Sequence, residues 1–359
     1  MISFSIIIPH FNGERILADC LNSLFRSKGN FEVILVDNGS TDQSIEQTRK
    51  QFPQVIIKDS GSNLGYAGGC TFGADFAKNE WLIFLNNDVE VAENWLKELE
   101  TAIEKNPGSE IFQPKILSLQ AHRDGKKIFD YAGGAGGRID FLGYPFAFGR
   151  IMWKVTEDLG KYDETKELFW ASGTALAIKS ETAKSLKFFD TLYFAHMEEI
   201  DLCWRLHQIG GSIKSVPSSI VYHLGGQTLA LGNPQKIYLN HRNNWYLTYK
   251  NFPLIIFILT FLPRLFLDIV AMFFYTLQKG KEGFLIIPRA YRWLIMNLPL
   301  MIANRKEWVN FKKSHPKKTG YLSVLKKMNK VPVVFRIPLQ AVKANLLKLK
   351  SSTLQIFIF

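Results

Sequence analysis

Four runs in the first 85 residues are almost wholly apolar: Phe4–Ile8, Phe31–Val36, Val55-Ile56-Ile57 and Trp81–Leu85. Each is rich in β-branched or aromatic residues, and polar turns and helical patterns separate them. Asn12 precedes Ile16, Leu17, Cys20, Leu21, Leu24 and Phe25 at helical spacing, so Asn12 is expected to cap a helix. Ser40-Thr41-Asp42-Gln43 reads as a capping box that opens a second helix, and a glycine-rich stretch over residues 61–73 precedes a helix expected through Lys78. A strand apolar on both faces must be covered on both. The alternation therefore predicts an α/β fold, a mostly parallel sheet flanked by helices. In such sheets ligands gather outside the carboxyl ends of the strands, where Asn12, Asp37, Asn86 and Asp88 fall.

Residues 118–168 carry Gly133-Gly134-Ala135-Gly136-Gly137 and several aromatics without a clear period, and read as loops and short strands. Order returns with a strand over Thr174–Lys179, a helix from Ser180 and another over Glu198–Ile209. Two short strands follow, Ile213–Val216 and one ending Val221-Tyr222-His223. From Phe252 to Leu277 the chain is almost entirely apolar, long enough for about 30 Å of hydrocarbon. Arg264 and Asp268 interrupt it at i and i+4, a spacing that lets them pair, and the expected arrangement is a kinked or in-plane helix. Phe284–Ala303 mixes Arg289, Arg292 and Trp293 with apolar residues, as suits a helix lying on a bilayer.

The net charge of +12 resides in the tail, since residues 304–359 hold 13 Lys/Arg against the single acid Glu307. Apolar residues accompany these lysines, among them Phe335, Ile337 and Ile356-Phe357-Ile358-Phe359, which fits a membrane surface better than nucleic acid. Three well-separated cysteines, Cys20, Cys70 and Cys203, show no zinc spacing and no disulfide framework. The opening residues lack the basic and apolar regions of a signal peptide, so a cytosolic enzyme is expected. The expected organisation is a catalytic domain over residues 1–250, membrane-associated helices over 251–303 and a basic tail over 304–359.

Asn86-Asn87-Asp88 ends a buried strand, where a turn can aim carboxylate and amide oxygens at a hard divalent cation. Asp37 ends another and can accept hydrogen bonds from a ribose or a base. The glycines of Asn63-Leu64-Gly65-Tyr66-Ala67-Gly68-Gly69 let backbone approach a ligand, but match neither a dinucleotide fingerprint nor a P-loop. Glu198-Glu199-Ile200-Asp201 opens a helix whose dipole favours ionised acids. Asp201 and Arg205 are spaced for a structural pair, which leaves Glu199 the freer candidate base. His223 ends a strand and can offer an imidazole nitrogen to a metal.

In their order along the chain, over about residues 3–250, these motifs resemble glycosyltransferase family 2, in its rhamnosyltransferase-like branch of bacterial cell-surface polysaccharide enzymes. The resemblance implies a GT-A fold and an inverting transfer from a nucleotide-diphosphate sugar to a hydroxyl of a lipid-linked glycan acceptor. It places donor contacts on Pro9, Asn12, Asp37, Asn63, Gly65, Gly68, Asn86 and Asn87. The acceptor side falls on Trp170, Ser172, Gly173 and Glu198, and the base on Glu199. Mg²⁺ or Mn²⁺ is implied on Asp88 and His223, with Asn86 where the family's first metal-motif acid stands and Glu199 where its usual Asp base stands. The expected location is the cytosolic face of the plasma membrane, peripheral or monotopic.

Two other readings use the same features. A membrane protein without transferase activity accounts for residues 252–303 but not for the ordered acids before them. A nucleotidyltransferase needs a glycine-rich basic loop after the first strand, where His10-Phe11-Asn12-Gly13 stands instead.

Overall fold

The computed structural model describes residues 2–151, 154–225, 232–330 and 332. The chain runs β1 (Ser3–His10), α1 (Glu14–Arg26), β2 (Asn30–Asp37), α2 (Ser44–Gln51), β3 (Ile56–Asp59), α3 (Gly65–Ala74), β4 (Trp81–Leu85), β5 (Val89–Val91), α4 (Trp95–Lys105), β6 (Ile111–Ser118) and α5 (Leu119–Arg123). Short strands follow, β7 (Gly137–Ile139), β8 (Pro145–Ala147), β9 (Arg150–Ile151) and β10 (Lys154–Val155). Then come β11 (Ala175–Lys179), α6 (Ser180–Ser185), α7 (Glu198–Gln208), β12 (Ile213–His223), α8 (Pro234–Asn251), α9 (Leu254–Met296), α10 (Leu298–Ser314) and α11 (Tyr321–Lys327).

Contacts divide the chain into two units. The first comprises residues 1–137 and 147–227, the second residues 138–146 and 228–359. The division falls before α8, which shares its buried polar residues with the apolar helices that follow it.

In the first unit an eight-stranded sheet has the order β3-β2-β1-β4-β11-β6-β12-β5, with β11 and β5 antiparallel to their neighbours and the rest parallel. Alternation along β1 explains its double cover. Ile6 and Ile8 join Leu17, Leu21, Trp95 and Leu99 in one core, and each such fully buried side chain contributes about 1.5–3 kcal/mol. Ile7 and Val36 face the other way, toward Gly73 of α3. β12 is one strand with a bulge between Val216 and Ile220, where two strands were expected, because Ile213 and His223 both stay in register with β6.

Three local expectations change. Asn12 is not the cap of α1: Gly13 holds that place, while Asn12, at φ 56°, accepts from Thr41 N (2.8 Å) and Asp42 N (3.4 Å). The capping box does not form. The helix starts only at Ser44, whose backbone N–H donates to Asp42 (3.2 Å), while Glu14 takes the N–H of Gln43 (2.9 Å). The glycine-rich stretch is itself helix α3, since absent side chains let it lie directly on the sheet. A Cβ on Gly69 would stand 2.8 Å from Pro9 Cβ, and one on Gly73 2.6 Å from Ile7 Cγ2.

In the second unit Asn233 caps α8, accepting from Gln235 N at 2.8 Å. α9 breaks at Gly280 (φ 57°, ψ −136°), and its second limb returns along the first so closely that a Cβ on Gly283 would meet Tyr275 O at 1.9 Å. Arg264 and Asp268 are buried but do not pair as expected, since each has other partners. Arg264 donates to Leu142 O and to Asn244 Oδ1 (2.6 Å). Asp268 receives Trp245 Nε1 (2.6 Å) and Tyr291 Oη (2.9 Å) and faces His241 Nδ1 at 2.9 Å. The outer face of the first limb is the reverse, with Ile255, Leu259, Leu262, Phe266, Phe273 and Leu277 exposed. Of the expected basic tail, residues 331 and 333–359 lie outside the described residues.

Candidate active site

The carboxyl ends of β1, β2, β4, β6 and β12 and the amino end of antiparallel β11 share one edge of the sheet. Every polar residue singled out on the strands stands at that edge. Asp37 Oδ1 accepts from Ser40 N (2.7 Å), which holds the turn after β2 tight. Asn38 ties that turn to α3 by donating to Gly65 O (3.1 Å), and Asn63 Oδ1 accepts from Gly65 N (2.9 Å). Gly65 needs its left-handed φ of 70°, and Phe194 lies over it where a side chain would stand. Gly68 lacks a Cβ because one would meet Leu64 Cβ at 2.6 Å.

Two histidines pin the Asn86-Asn87-Asp88 turn. Asn87 Nδ2 donates to His10 Nδ1 (2.7 Å), so the proton of His10 sits on Nε2, 2.9 Å from Ser44 Oγ. Burial drives the His10 pKa down to about 4 against the pull of Asp42 and Asp37, so this ring is neutral at physiological pH. On the other side His223 Nε2 lies 3.1 Å from Asp88 Oδ1 and 3.3 Å from Asn86 Nδ2, while its Nδ1 meets Asp130 Oδ1 at 3.0 Å. Burial opposes charge on His223, but the facing carboxylates of Asp130 and Asp88 outweigh it and push its pKa up to about 10.

Asn86 N donates to Thr174 O (3.0 Å), which joins the turn to the loop before β11. In that loop Gly173 faces Tyr66 and the stem of Glu199: an added Cβ would stand 3.4 Å from the Tyr66 ring and 3.7 Å from Glu199 Cβ. Trp170 and Ser172 are buried supports. Trp170 fills the space left by Gly133 and Gly137, and Ser172 Oγ donates to Ala132 O (2.6 Å). The carboxylate oxygens Glu198 Oε2 and Glu199 Oε2 are shielded from solvent and accept no hydrogen bond.

The expectation that the α7 dipole keeps both acids ionised is reversed by burial. Burial, resisted by backbone N–H groups at the start of α7, lifts Glu199 to about 7. Burial and then the charge of Glu199 hold Glu198 well above the ordinary range. Asp201 pairs with Arg205 at 2.7 Å, as its spacing suggested, and Arg205 also donates to Phe188 O (2.8 Å). A strained approach precedes the acids, since Phe194, His196 and Met197 all have left-handed φ. Such strain concentrates where a site fixes side chains.

Sequence reasoning missed His10 and Asp130. Their only signals were a polar residue ending an apolar strand and one before a run of glycines.

Residues 5–132 match the sequence profile of Glycosyl transferase family 2. The chain is 27% identical over 231 residues to an N-acetylglucosaminyl-diphospho-decaprenol L-rhamnosyltransferase of Mycobacterium tuberculosis (strain CDC 1551 / Oshkosh), covering 60% of this chain and 72% of that protein. A PGL/p-HBAD biosynthesis glycosyltransferase of Mycobacterium bovis (strain BCG / Pasteur 1173P2) is 37% identical over 89 residues, 24% of this chain and 35% of that one. The fold resembles a solved structure of GalNAc-T7 with UDP, GalNAc and Mn²⁺, with a TM-score of 0.54 at 20% identity. That likeness covers 69% of this chain and 48% of GalNAc-T7, so the chain spans about half its length. With the GT-A sheet, the polar residues at its carboxyl edge and these relatives together, residues 5–132 carry the likeness to Glycosyl transferase family 2, and the chain is a glycosyltransferase similar to rhamnosyltransferases.

Proposed function

We propose that the protein moves a sugar, with inversion, from a nucleoside diphosphate to a hydroxyl of a lipid-linked glycan, with Glu199 as the base. The observation that carries this reading is the Glu199 carboxylate: shielded, without a hydrogen-bond donor on Oε2 and lifted to about 7, on a side chain whose Cβ lies beside Gly173. A base poised near neutral pH can accept a proton without being permanently satisfied. The acceptor oxygen bonds to the anomeric carbon as its proton passes to Glu199. The bond from that carbon to the phosphate oxygen breaks, and its electron pair leaves with the diphosphate. Asp37 and Asn12 border the place for the nucleoside, and Asn86 and Asn87 the place for the diphosphate.

Asp88 Oδ1 and His223 Nε2 offer an oxygen and a nitrogen at one point. Among the described residues no group of three His, Cys, Asp or Glu side chains forms a closed metal cage. Two protein donors suit Mg²⁺ or Mn²⁺, which takes its remaining ligands from phosphate and water. When bound there, the ion supplies positive charge against the departing diphosphate.

The relative named above acts, by its name, on a sugar carried by a lipid diphosphate. That, and the exposed apolar face of α9, support an acceptor met at a membrane surface. The test supplies a lipid-diphosphate-linked sugar and a panel of nucleotide sugars, and reads the anomeric configuration of the product by NMR. Inversion is expected, lost in EDTA and restored by Mg²⁺ or Mn²⁺. A product that retains the donor's configuration, or full turnover in EDTA, contradicts the reading.

A further inference from the structure

The sheet order β2-β1-β4 puts the last residue of β1 between the turns that follow β2 and β4. That residue is His10. It is buried, its carbonyl accepts from Asn38 N (2.8 Å), and its ring reaches both ways, to Ser44 at the start of α2 and to Asn87 after β4. No step of the proposed transfer uses the ring, yet its bonds belong to a chain with one direction. Asp42 Oδ2 accepts from Gly13 N (2.6 Å), and Oδ1 accepts from Ser44 N (3.2 Å) and Ser44 Oγ (2.5 Å). Burial opposes charge on Asp42, but the bonds from Ser44 and Gly13 outweigh it and hold its carboxyl below the usual range. An ionised carboxylate only accepts, so the one hydroxyl proton of Ser44 is committed to it. Ser44 Oγ can then only accept from His10, which places a ring proton on Nε2. Burial keeps the ring neutral, so Nδ1 is left with a lone pair, and Asn87 must meet it with an N–H.

We propose that His10 and Ser44 are positioning residues for the sugar donor: the chain Asp42–Ser44–His10 sets the Asn87 amide with its N–H end toward the ring and its carbonyl end turned away, and ties the turn beside the diphosphate to the turns beside the nucleoside. The inference rests on the donor site proposed above. The two ends of an amide are nearly the same shape, so packing alone does not choose between them. A single acceptor beside the group does. The choice is made 45 positions away, at Asp42, and reaches Asn87 only because β1 lies between β2 and β4. The Asn86-Asn87-Asp88 turn is held in one arrangement before the donor arrives, so binding does not have to order it. Without the Ser44 hydroxyl the ring is free to carry its proton on either nitrogen, and the amide is free to turn over.

The test titrates the full-length protein, in Mg²⁺, with uridine, guanosine, cytidine and thymidine diphosphates, and follows by calorimetry the one that wild type binds most tightly. His10→Gln can keep a donor near the place of Nε2 but loses the acceptor at Nδ1, and His10→Asn does the reverse. Ser44→Ala removes only the hydroxyl, and keeps the proposal open to test should the histidine variants not fold. Circular dichroism and melting temperature check each variant. His10→Gln should weaken the diphosphate by about 2–10-fold, the range for one lost hydrogen bond, and His10→Asn should recover part of the loss. In turnover the donor KM should rise in His10→Gln and in Ser44→Ala, and the acceptor KM should stay. Nitrogen-15 NMR of the histidine rings at pH 7 should show His10 protonated at Nε2 and bare at Nδ1 in wild type, and as a mixture of both tautomers in Ser44→Ala. A proton on Nδ1 in wild type overturns the chain. So does a folded His10→Gln or Ser44→Ala that binds the diphosphate as wild type does while Asp37→Ala does not, a result that leaves the donor site standing. Equal binding by wild type and Asp37→Ala removes the donor site, and the proposal with it.

Discussion

Glu199 shows how two neighbouring acids separate by environment. Its carboxyl, lifted to about 7 by burial, is half ionised near neutral pH. As the base it must be ionised, so kcat/KM should rise about tenfold per pH unit below 7 and level off above it. Stability runs the other way. A carboxyl raised from an ordinary value of about 4.3 stabilises the fold fully below that pH, and the contribution is lost as pH rises through about 7. Glu199→Gln should therefore melt higher than wild type at pH 8 and close to it at pH 4, which calorimetry at the two pH values checks. At this scale the sequence was informative about identity and silent about state. Glu199 stood out because Asp201 had a partner four residues on, but the partners of His10 and Asp130 are 34, 77 and 93 positions away. No local pattern encodes such distances; only the sheet order brings them together.

Among the elements, α3 is the clearest case of a motif whose meaning lies in packing. Its glycines read as a ligand loop, yet Gly69 and Gly73 are there because the helix lies on Pro9, Ile7 and Val36. Gly73→Ala places a methyl 2.6–2.7 Å from Ile7 and Val36, and should cost about 1–3 kcal/mol in denaturant unfolding. Gly108→Ala, with nothing within 4 Å of the new Cβ, should be nearly neutral. Gly173→Ala meets its neighbours only at 3.4–3.7 Å, ordinary contact, so the fold should survive. The methyl then narrows the space before Glu199, and the acceptor KM should rise while donor binding holds. The four apolar strands were legible because β1, β2 and β4 are buried on both faces. Helix starts were not, because Asn12 spends its side chain across the turn on Thr41 rather than on its own helix, and Asp42 divides its carboxylate between Gly13 N and Ser44 N.

In the whole molecule, the two units differ in how they treat polarity. The first buries an apolar core under the sheet. The second buries Arg264, Asp268 and His241 and exposes Leu259, Leu262 and Phe266. The spacing of Arg264 and Asp268 suggested a pair, and what redirected each was aromatic and amide partners on α8, the second limb of α9 and residues 138–146, which no i,i+4 rule sees. Replacing Leu259, Leu262 and Phe266 together by Asn should leave the melting temperature nearly unchanged and reduce co-flotation with anionic liposomes. Undiminished flotation would take α9 out of membrane contact. Asp268→Ala, by contrast, strands Trp245, Tyr291 and His241 and should cost about 3–5 kcal/mol. The central claim is that the crevice at the carboxyl edge of the sheet transfers sugar with Glu199 as the proton acceptor. Its most direct test measures single-turnover transfer to a lipid-linked acceptor by wild type and by Glu199→Gln at saturating donor. The account expects a loss of about 10²–10⁴-fold with donor affinity intact; transfer at the wild-type rate by Glu199→Gln would contradict it.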